Sequence, residues 1–563
     1  MRKLKKLFQE WDTIKDNLKW LYRQSKGIKR YVLGFLLISF VSMAFSLASP
    51  VASKYVVDAA VGADSEFQFK YVLLMLGTTV FSIILGIVSN VFSSYVNEKF
   101  AFSVRARMFD RTQRGNWADI TAFHSGDMLA RLTDDVNVIA SNIISILPNL
   151  IVTLLQLAIV LVILLTTDPM LALIGIIVGP IGAILSLLFR EPFQRYQNDL
   201  RQSQSEYYTF FQESLGNLGV VKAFQLEDHN NSHFDEIRAR RLKTVLKSSK
   251  LNSCMSAIIR LVYSIGYVIA FSWCAIQLKT NPLYTYGTMT MFLSLVSRIQ
   301  SSISGLGGII PKFYSTLVCA KRVREITEQT PEKYEKEGAI SQKVGLRVQD
   351  VSFSYEDEDI LTHLNLEIHP CERVGIVGSS GAGKTTLIRL LLALVSPDEG
   401  ELFFTDESGE SEAVSAATRR LISYVPQGNT LMTGTIRENL LLGDPDADEE
   451  AMWRALESAD AAQFVRNDPR GLDLPIKERS SGLSAGQAQR IGIARALMRD
   501  RPVLILDEAT SALDEATERR IFETLSEQCE KTCFIITHRS SMLKYCTSVI
   551  RIDDNGKVTY SRE

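Results

Sequence analysis

The sequence predicts a multi-domain chain, a six-helix α-helical transmembrane domain followed by an α/β P-loop domain. Two observations support this fold class. Every long uncharged apolar run of the 563-residue chain lies before residue 327. After residue 343 the composition is that of an ordinary soluble α/β domain, and Gly378–Thr385 reads "GSSGAGKT", which fits the phosphate-binding pattern G-x-x-x-x-G-K-[ST].

The chain therefore divides into four predicted parts. A polar segment rich in Gly, Glu and Lys separates the apolar and soluble halves and is interpreted as a linker. The predicted parts are an interfacial N-terminal elbow helix (1–30), a transmembrane domain with six spans and two long cytoplasmic helical loops (31–326), the linker (327–343) and a nucleotide-binding domain (344–563).

Six stretches are apolar and long enough to cross a bilayer as helices, which takes about 20 residues. They run near residues 31–57, 71–96, 138–167, 169–190, 254–278 and 283–310. Arg260 and Arg298 interrupt the fifth and sixth stretches. An arginine inside the membrane is costly when it faces lipid. We therefore treat Arg298 and Arg260 as candidates for lining a substrate cavity, with a structural hydrogen bond as the alternative for Arg298.

The distribution of Lys and Arg predicts the orientation of the spans. Residues 1–30 hold ten of them, residues 97–137 hold six and residues 190–250 hold ten, whereas the loops on the other side hold only Lys279. Positive residues favour the cytoplasmic side. We expect a multi-pass protein of the cell (inner or plasma) membrane with both termini in the cytoplasm, and an N-terminal helix along the inner surface of the bilayer.

The two long loops alternate charged and apolar residues at helical spacing. We expect the membrane helices to continue into the cytoplasm, with short breaks near 115–127 and 214–224. The net charge of −1 gives no attraction to nucleic acid, and no nucleic-acid partner is expected. The seven cysteines lack zinc-site spacing and are predicted to be free thiols.

The P-loop lies between an apolar strand and an apolar helix, as phosphate binding requires. Its glycines let backbone N–H groups face phosphates at the start of the helix. Lys384 can reach the β- and γ-phosphates, and Thr385 can coordinate Mg²⁺. The candidate nucleotide-binding residues of the loop are Gly378, Ser379, Ser380, Gly381, Ala382, Gly383, Lys384, Thr385 and Thr386.

Further candidates follow or precede other predicted strands. Asp507 and Glu508 end an apolar run, where Asp507 suits an Mg²⁺ ligand and Glu508 suits the general base for water. His538 also follows an apolar run and is expected to contact the γ-phosphate. Gln427 follows a third strand and is expected to sense Mg²⁺ or water. Tyr355, upstream of the P-loop, is a candidate for stacking on adenine.

With "LSAGQ" at 483–487 and "SALD" at 511–514, this ordered set resembles an ABC-type ATPase. With six spans ahead of it, the chain resembles a bacterial ABC exporter half-transporter over nearly its full length. The resemblance implies ATP and Mg²⁺ as cofactors and two ATPase domains that close head to tail. Ser484, Gly486 and Gln487 would then complete the nucleotide site of the second half-transporter. The two predicted breaks match the family's coupling helices, which dock on the ATPase surface near Gln427.

The implied function is ATP-driven transport by alternating access in the lipid bilayer, as an exporter or flippase of an amphipathic substrate such as a peptide, lipid or drug. An importer of the same architecture and an ATP-gated channel or regulator remain open. This chain has Ala485 where the family's pentapeptide usually has glycine. All catalytic positions are present, which favours a homodimer, and a heterodimer also remains open.

Overall fold

The computed structural model describes residues 14–61, 69–188, 190–282, 284–332, 338, 340, 342–355, 358–428, 430–477, 480, 482–528, 530–553 and 556–562. Residues 1–13 of the predicted elbow helix, residues 333–337, 339 and 341 of the predicted linker, and Cys529 lie outside the described residues. The chain forms two compact units. One comprises Met1–Thr112 and His124–Glu328, and the other comprises Gln113–Phe123 and Gln329–Glu563.

The first unit is helical. Its helices are α1 (14–24), α2 (Lys29–Val61), α3 (Phe69–Arg114), α5 (Ser125–Ala130), α6 (Val136–Thr167), α7 (Pro169–Leu188), α8 (Arg190–Gly216), α9 (Leu218–Ala223), α10 (Glu227–Thr280) and α11 (Tyr286–Thr327), while α4 (Trp117–Thr121) belongs to the second unit. A 3₁₀ turn joins α1 to α2, and a π-helical turn joins α5 to α6.

The first, second, third and fifth predicted spans fall within α2, α3, α6 and α10. The fourth (169–190) extends past the end of α7 at Leu188, and the sixth (283–310) begins before α11 at Tyr286. Four described helices are long and apolar enough to cross a membrane, namely Ile14–Val61, Phe69–Arg114, Ser125–Thr167 and Glu227–Thr280. A shorter apolar helix, Pro169–Ile181, lies in α7, and α11 is not among the four. At 46 and 54 residues, α3 and α10 are far longer than the ~20 residues that a bilayer needs. They therefore extend well beyond it.

Asp168, between α6 and α7, joins four parts of the helical unit. Its carboxylate accepts hydrogen bonds from the Trp273 indole nitrogen at 3.0 Å, from the Tyr284 hydroxyl, and from the backbone nitrogens of Met170 and Leu171 at 3.1 and 3.3 Å. Asp168 is only 6% exposed. A buried carboxylate is tolerated when hydrogen bonds satisfy it. These donors therefore fix the end of α6 against α7, α10 and the segment before α11.

The second unit contains α4 and an α/β domain. Its strands are β1 (Gly345–Tyr355), β2 (Glu358–Ile368), β3 (Arg373–Gly378), β4 (Glu399–Thr405), β5 (Ser411–Ala413), β6 (Ile422–Val425), β7 (Gly434–Thr435), β8 (Pro475–Ile476), β9 (Val503–Asp507), β10 (Thr532–Ile536), β11 (Ser548–Ile552) and β12 (Val558–Arg562). Its remaining helices are α12 (Lys384–Leu391), α13 (Ile436–Leu441), α14 (Glu449–Ser458), α15 (Ala462–Asn467), α16 (Ala485–Met498) and α17 (Glu515–Gln528).

The main sheet has the order β12-β11-β3-β10-β9-β6, parallel except for β12. All residues of β9 and β10 are buried, as expected for central strands with both faces covered. An antiparallel sheet, β2-β1-β4-β5, shares a core with it, in which Phe404 and Phe534 are fully buried. Parallel strands end at the same edge of a sheet, so the residues after β3, β6, β9 and β10 lie together.

Arg539 and Glu518 fix the segment that follows β10. Glu518, on α17, is 1% exposed and accepts hydrogen bonds from the Thr510 hydroxyl at 2.6 Å and from Arg539 Nη1 at 2.5 Å. Arg539 Nη2 donates to the Leu513 carbonyl at 3.0 Å. The ion pair thus ties the residue after His538 to α17.

Arg539→Met should destabilise the α/β domain because it leaves Glu518 buried with one donor fewer. Removing one partner of a fully buried pair costs roughly 3–5 kcal/mol, and the partial exposure of Arg539 reduces this to about 2 kcal/mol. Thermal unfolding of the purified full chain should show a lower apparent Tm. Arg519→Met is the control, because its pair with Glu523 is exposed on both sides. Equal shifts in the two variants would contradict this assignment.

Candidate functional site

The P-loop between β3 and α12 has the backbone that phosphate binding needs. Gly381 and Gly383 have φ values of +89° and +99°, in the left-handed region that favours glycine. A Cβ at Gly378 would lie 2.5 Å from the Ile552 carbonyl oxygen, so the loop starts in close contact with β11. The N-terminus of α12 follows directly at Lys384, where backbone N–H groups attract anions.

The side chains of the P-loop are arranged around Lys384. This residue is 6% exposed, and its ammonium donates to the carbonyl oxygens of Gly378 and Ser379 at 2.8 and 2.6 Å. The loop thus holds the Lys384 ammonium within its own turn. Phosphate oxygens can replace the two carbonyl oxygens as acceptors of its hydrogen bonds. Of the other predicted residues of the loop, Ser379, Ser380 and Thr385 are exposed, and Ala382 and Thr386 are buried.

Three residues that the sequence predicts for catalysis meet at the carboxylate of Glu508. Its Oε2 accepts a hydrogen bond from Gln427 Nε2 at 2.6 Å, and its Oε1 lies 2.9 Å from His538 Nε2. These residues follow β9, β6 and β10, three neighbouring strands of one sheet. Glu508 has φ +48°, a left-handed conformation that is uncommon outside glycine. Each oxygen of its carboxylate thus has a side-chain partner, and the two partners fix the orientation of the carboxylate at the edge of the sheet.

Asp507, the preceding residue, is a buried carboxylate. It is 2% exposed and accepts a hydrogen bond from the Tyr424 hydroxyl at 3.3 Å. Burial raises the pKa of Asp507, the Tyr424 hydrogen bond opposes that shift, and the neighbouring Glu508 charge adds to it. Burial likewise raises the pKa of Tyr424. A carboxylate whose charge is so poorly solvated suits a bound cation, so the chemistry of Asp507 fits Mg²⁺. The roles of Thr385 and Gln427 towards Mg²⁺ stay predictions.

Tyr355 ends β1 and meets the helix of the P-loop. Its ring packs edge-on against Phe353, with 4.8 Å between ring centroids, and its hydroxyl accepts a hydrogen bond from Arg389 Nη1 at 2.9 Å. Tyr355 is 37% exposed, which leaves ring surface available to an adenine base. Aromatic rings are effective stacking partners for bases.

The pentapeptide "LSAGQ" begins α16. Ser484 is the N-cap, and its hydroxyl accepts from the Gln487 backbone nitrogen at 3.2 Å, while Gln487 Oε1 accepts from the Ser484 backbone nitrogen at 2.9 Å. This capping box satisfies two donors within the chain. A Cβ at Gly486 would lie 3.0 Å from the Ala512 carbonyl oxygen, so the helix start packs on the "SALD" segment.

Two residues of the site escaped sequence reasoning, Tyr424 and Arg389. Tyr424 lies within β6 and looks there like an ordinary core aromatic. Arg389 offered one signal, a charge in the otherwise apolar run "LIRLLLAL" directly after the P-loop. Arg389 also lies close enough to Asp507 for its charge to counter the upward shift in the pKa of that carboxyl.

Two family models match the chain. One is described as the ABC transporter transmembrane region and matches residues 32–303, and the other is described as ABC transporter and matches residues 361–511. The chain belongs to the ABC transporter family. It carries one membrane domain and one ATPase domain, so it is an ABC half-transporter that hydrolyses ATP to drive transport, and its architecture implies dimerisation. The predicted family and fold class are confirmed.

Among known relatives, the chain is 28% identical to the putative multidrug export ATP-binding/permease protein YgaD of Bacillus subtilis, over 95% of this chain and 94% of the relative. It is 29% identical to an ATP-dependent lipid A-core flippase of Desulfotalea psychrophila, over 82% and 81% of the two chains. A solved bacterial Atm1-family ABC exporter with ATP bound superimposes with a TM-score of 0.80 at 23% identity, covering 95% of each chain. That last likeness establishes the fold of this ABC transporter.

The two membrane arginines of the transporter lie in different settings. Arg298, on α11, donates from Nη1 to the Ser46 hydroxyl at 2.6 Å and from Nη2 to the Ser46 carbonyl at 2.7 Å. This is the structural alternative considered for Arg298, a hydrogen bond to the backbone of α2. Arg260, on α10, is exposed. A role for either residue towards substrate stays a proposal.

Ser46→Ala should destabilise the helical unit because Arg298 loses its hydrogen bond to the Ser46 hydroxyl. It keeps the hydrogen bond to the backbone carbonyl of residue 46. Hydrogen bonds between membrane helices are worth about 1 kcal/mol. We expect a corresponding drop in the apparent Tm of the purified chain in lipid nanodiscs. Ser42→Ala, one turn earlier on α2, is the control. A shift for Ser46→Ala no larger than that of the control would rule out a stabilising contact.

Proposed function

We propose that this ABC transporter is an exporter or flippase of an amphipathic substrate that works as a dimer by alternating access. One observation carries the proposal. Glu508, Gln427 and His538 meet at the sheet edge that also holds the P-loop, in a chain with helices able to cross a membrane. The relatives named for multidrug export and lipid A-core flipping support export or flipping over import or passive conduction.

In the proposed mechanism, the residues of this chain bind ATP and orient the attacking water. Lys384 exchanges its two carbonyl acceptors for phosphate oxygens. Glu508 accepts a proton from the water whose oxygen bonds to the γ-phosphorus, while the bond from that phosphorus to the bridging oxygen breaks. Gln427 and His538 contact the Glu508 carboxylate and orient it. Contact of His538 with the γ-phosphate, and of Gln427 with Mg²⁺ or water, remains part of the proposal. Mg²⁺, held by Asp507 and Thr385, would neutralise charge on the phosphates.

Dimer closure completes each site in this proposal. The N-terminus of α16, with Ser484, Gly486 and Gln487, is proposed to face the γ-phosphate bound by the second half-transporter. Helix N-termini attract phosphate, so closure would depend on ATP. The chain holds every catalytic position that the family requires, which favours a homodimer. A heterodimer with a different half-transporter is the alternative.

We further propose the location and division of the chain. The Lys and Arg distribution supports a multi-pass cell-membrane protein with the ATPase domain and both termini in the cytoplasm. The proposed boundaries remain 1–30, 31–326, 327–343 and 344–563. Arg298 and Arg260 remain candidates for contacting the substrate.

Glu508→Gln should bind ATP and lose hydrolysis, because the amide cannot accept the proton from water. General-base catalysis contributes about 10²–10⁴-fold, so turnover should fall by at least ~10²-fold. ATPase activity in lipid vesicles and binding of a fluorescent ATP analogue measure the two effects, and flipping of a fluorescent phospholipid tests transport. Glu450→Gln, an exposed carboxylate on α14, is the control. Turnover near the wild-type rate would remove Glu508 as the base.

Ser484→Arg should keep ATP binding and lose hydrolysis, because its bulk and charge prevent closure over the phosphate of the second chain. Mixing Ser484→Arg chains with Lys384→Ala chains tests this directly. In a mixed dimer one site carries both lesions and the other carries neither. Since half of the dimers are mixed, ATPase should recover to roughly a quarter of wild type. No recovery on mixing would place the pentapeptide in the site of its own chain.

A further inference from the structure

Arg389 touches both Tyr355 and the short helix α4. Its Nη1 donates to the Tyr355 hydroxyl at 2.9 Å, and its guanidinium carbon lies 5.0 Å from the centre of the Trp117 ring. Arg389 lies on α12, five residues after Lys384. One side chain therefore contacts the proposed adenine-binding ring and the first residue of α4.

The segment Gln113–Phe123 has a second attachment to the ATPase domain, and this one uses no residue of the nucleotide site. Gly115 forms a β-bridge with Pro331, and the Glu332 backbone nitrogen donates to the Arg114 carbonyl at 2.8 Å. The Glu332 carboxylate pairs with both terminal nitrogens of Arg419 at 2.7 and 2.8 Å. Because it involves no residue of the nucleotide site, we expect this attachment to be independent of bound nucleotide.

The chemistry of a guanidinium suits the two contacts of Arg389, with the Tyr355 hydroxyl and with the Trp117 ring. A planar guanidinium can donate a hydrogen bond at its edge while its face covers an aromatic ring. The 5.0 Å separation is within the range for cation–π attraction. Adenine stacked on Tyr355 would restrict the ring and therefore its hydroxyl. The hydroxyl would then hold Arg389 over Trp117.

We propose that Arg389 is a positioning residue that transmits occupancy of the adenine site at Tyr355 to α4 through Trp117. The inference rests on the proposed function, because it requires adenine to stack on Tyr355. It goes beyond that function by naming the side chain that connects base binding to α4. It also requires the signal to depend on the base, since a triphosphate without one occupies the P-loop and leaves Tyr355 uncovered.

Amide hydrogen exchange of Gln113–Phe123 tests the inference in the full chain in lipid nanodiscs. The probes are Mg²⁺ with the non-hydrolysable ATP analogue AMP-PNP, and Mg²⁺ with inorganic tripolyphosphate, each at a saturating concentration. AMP-PNP should slow exchange in α4 roughly fivefold, the effect of a contact of cation–π strength. Tripolyphosphate should leave the exchange rate unchanged.

Variants distinguish positioning from a merely structural contact. Arg389→Ala and Trp117→Leu should lose the slowing that AMP-PNP causes, and Arg389→Lys should keep part of it because the ammonium retains the cation. Tyr355→Phe keeps the ring and removes the acceptor, so it should also lose the slowing when saturated with nucleotide. Glu332→Gln is the matched control. It should speed exchange equally with and without nucleotide.

The inference is overturned if AMP-PNP slows α4 exchange in Arg389→Ala or Tyr355→Phe as much as in wild type. Equal slowing by tripolyphosphate would overturn it as well. Both outcomes leave the proposed function intact. Failure of the wild-type chain to bind AMP-PNP would instead overturn the proposed function, and the inference with it.

Discussion

The parallel pairing of β3, β10, β9 and β6 is the constraint on which the nucleotide site depends. Ile536 pairs with both Ile376 and Asp507, so β10 fixes the level at which β3 and β9 end. A shift of one residue in either pairing would turn every side chain to the opposite face. The P-loop lies more than a hundred residues before the two carboxylates at the end of β9, and His538 follows Glu508 by 30 residues. This register brings all of them to one edge.

The backbone at this edge carries strain that the rest of the domain offsets. A non-glycine residue in an unfavourable conformation costs on the order of 1–3 kcal/mol and persists only where its surroundings impose it. Glu508, at φ +48°, is held by Gln427 on one oxygen and His538 on the other. The ion pair between Arg539 and Glu518 ties the segment after His538 to α17. Buried structural contacts thereby keep the proposed base oriented.

The sequence predicts those parts of this site that depend on a short run of neighbouring residues. The P-loop and the residues that end apolar strands were predictable, because each depends on a short pattern and on the rule that parallel strands end together. The contact of Arg389 with Tyr355 and Trp117 was not, since it joins three distant segments. The Ser46 partner of Arg298 depends on helix packing in the same way. The capping box of Ser484 and Gln487 follows a local spacing, a serine three residues before a glutamine at a helix start, and is therefore also encoded locally.

The adenine and the γ-phosphate of a bound ATP would contact different elements of the protein. On the proposed arrangement, adenine is sensed within one chain through Tyr355 and Arg389, and the γ-phosphate is sensed by the N-terminus of α16 of the second chain. ATP and ADP share the base and differ in the γ-phosphate. The Arg389 contact can therefore respond only to the presence of a nucleotide, ATP or ADP alike. Dimer closure, which depends on the γ-phosphate, distinguishes ATP from ADP. Because the capping box at Ser484 is complete within its own chain, α16 stays folded before closure and can respond to the phosphate without refolding.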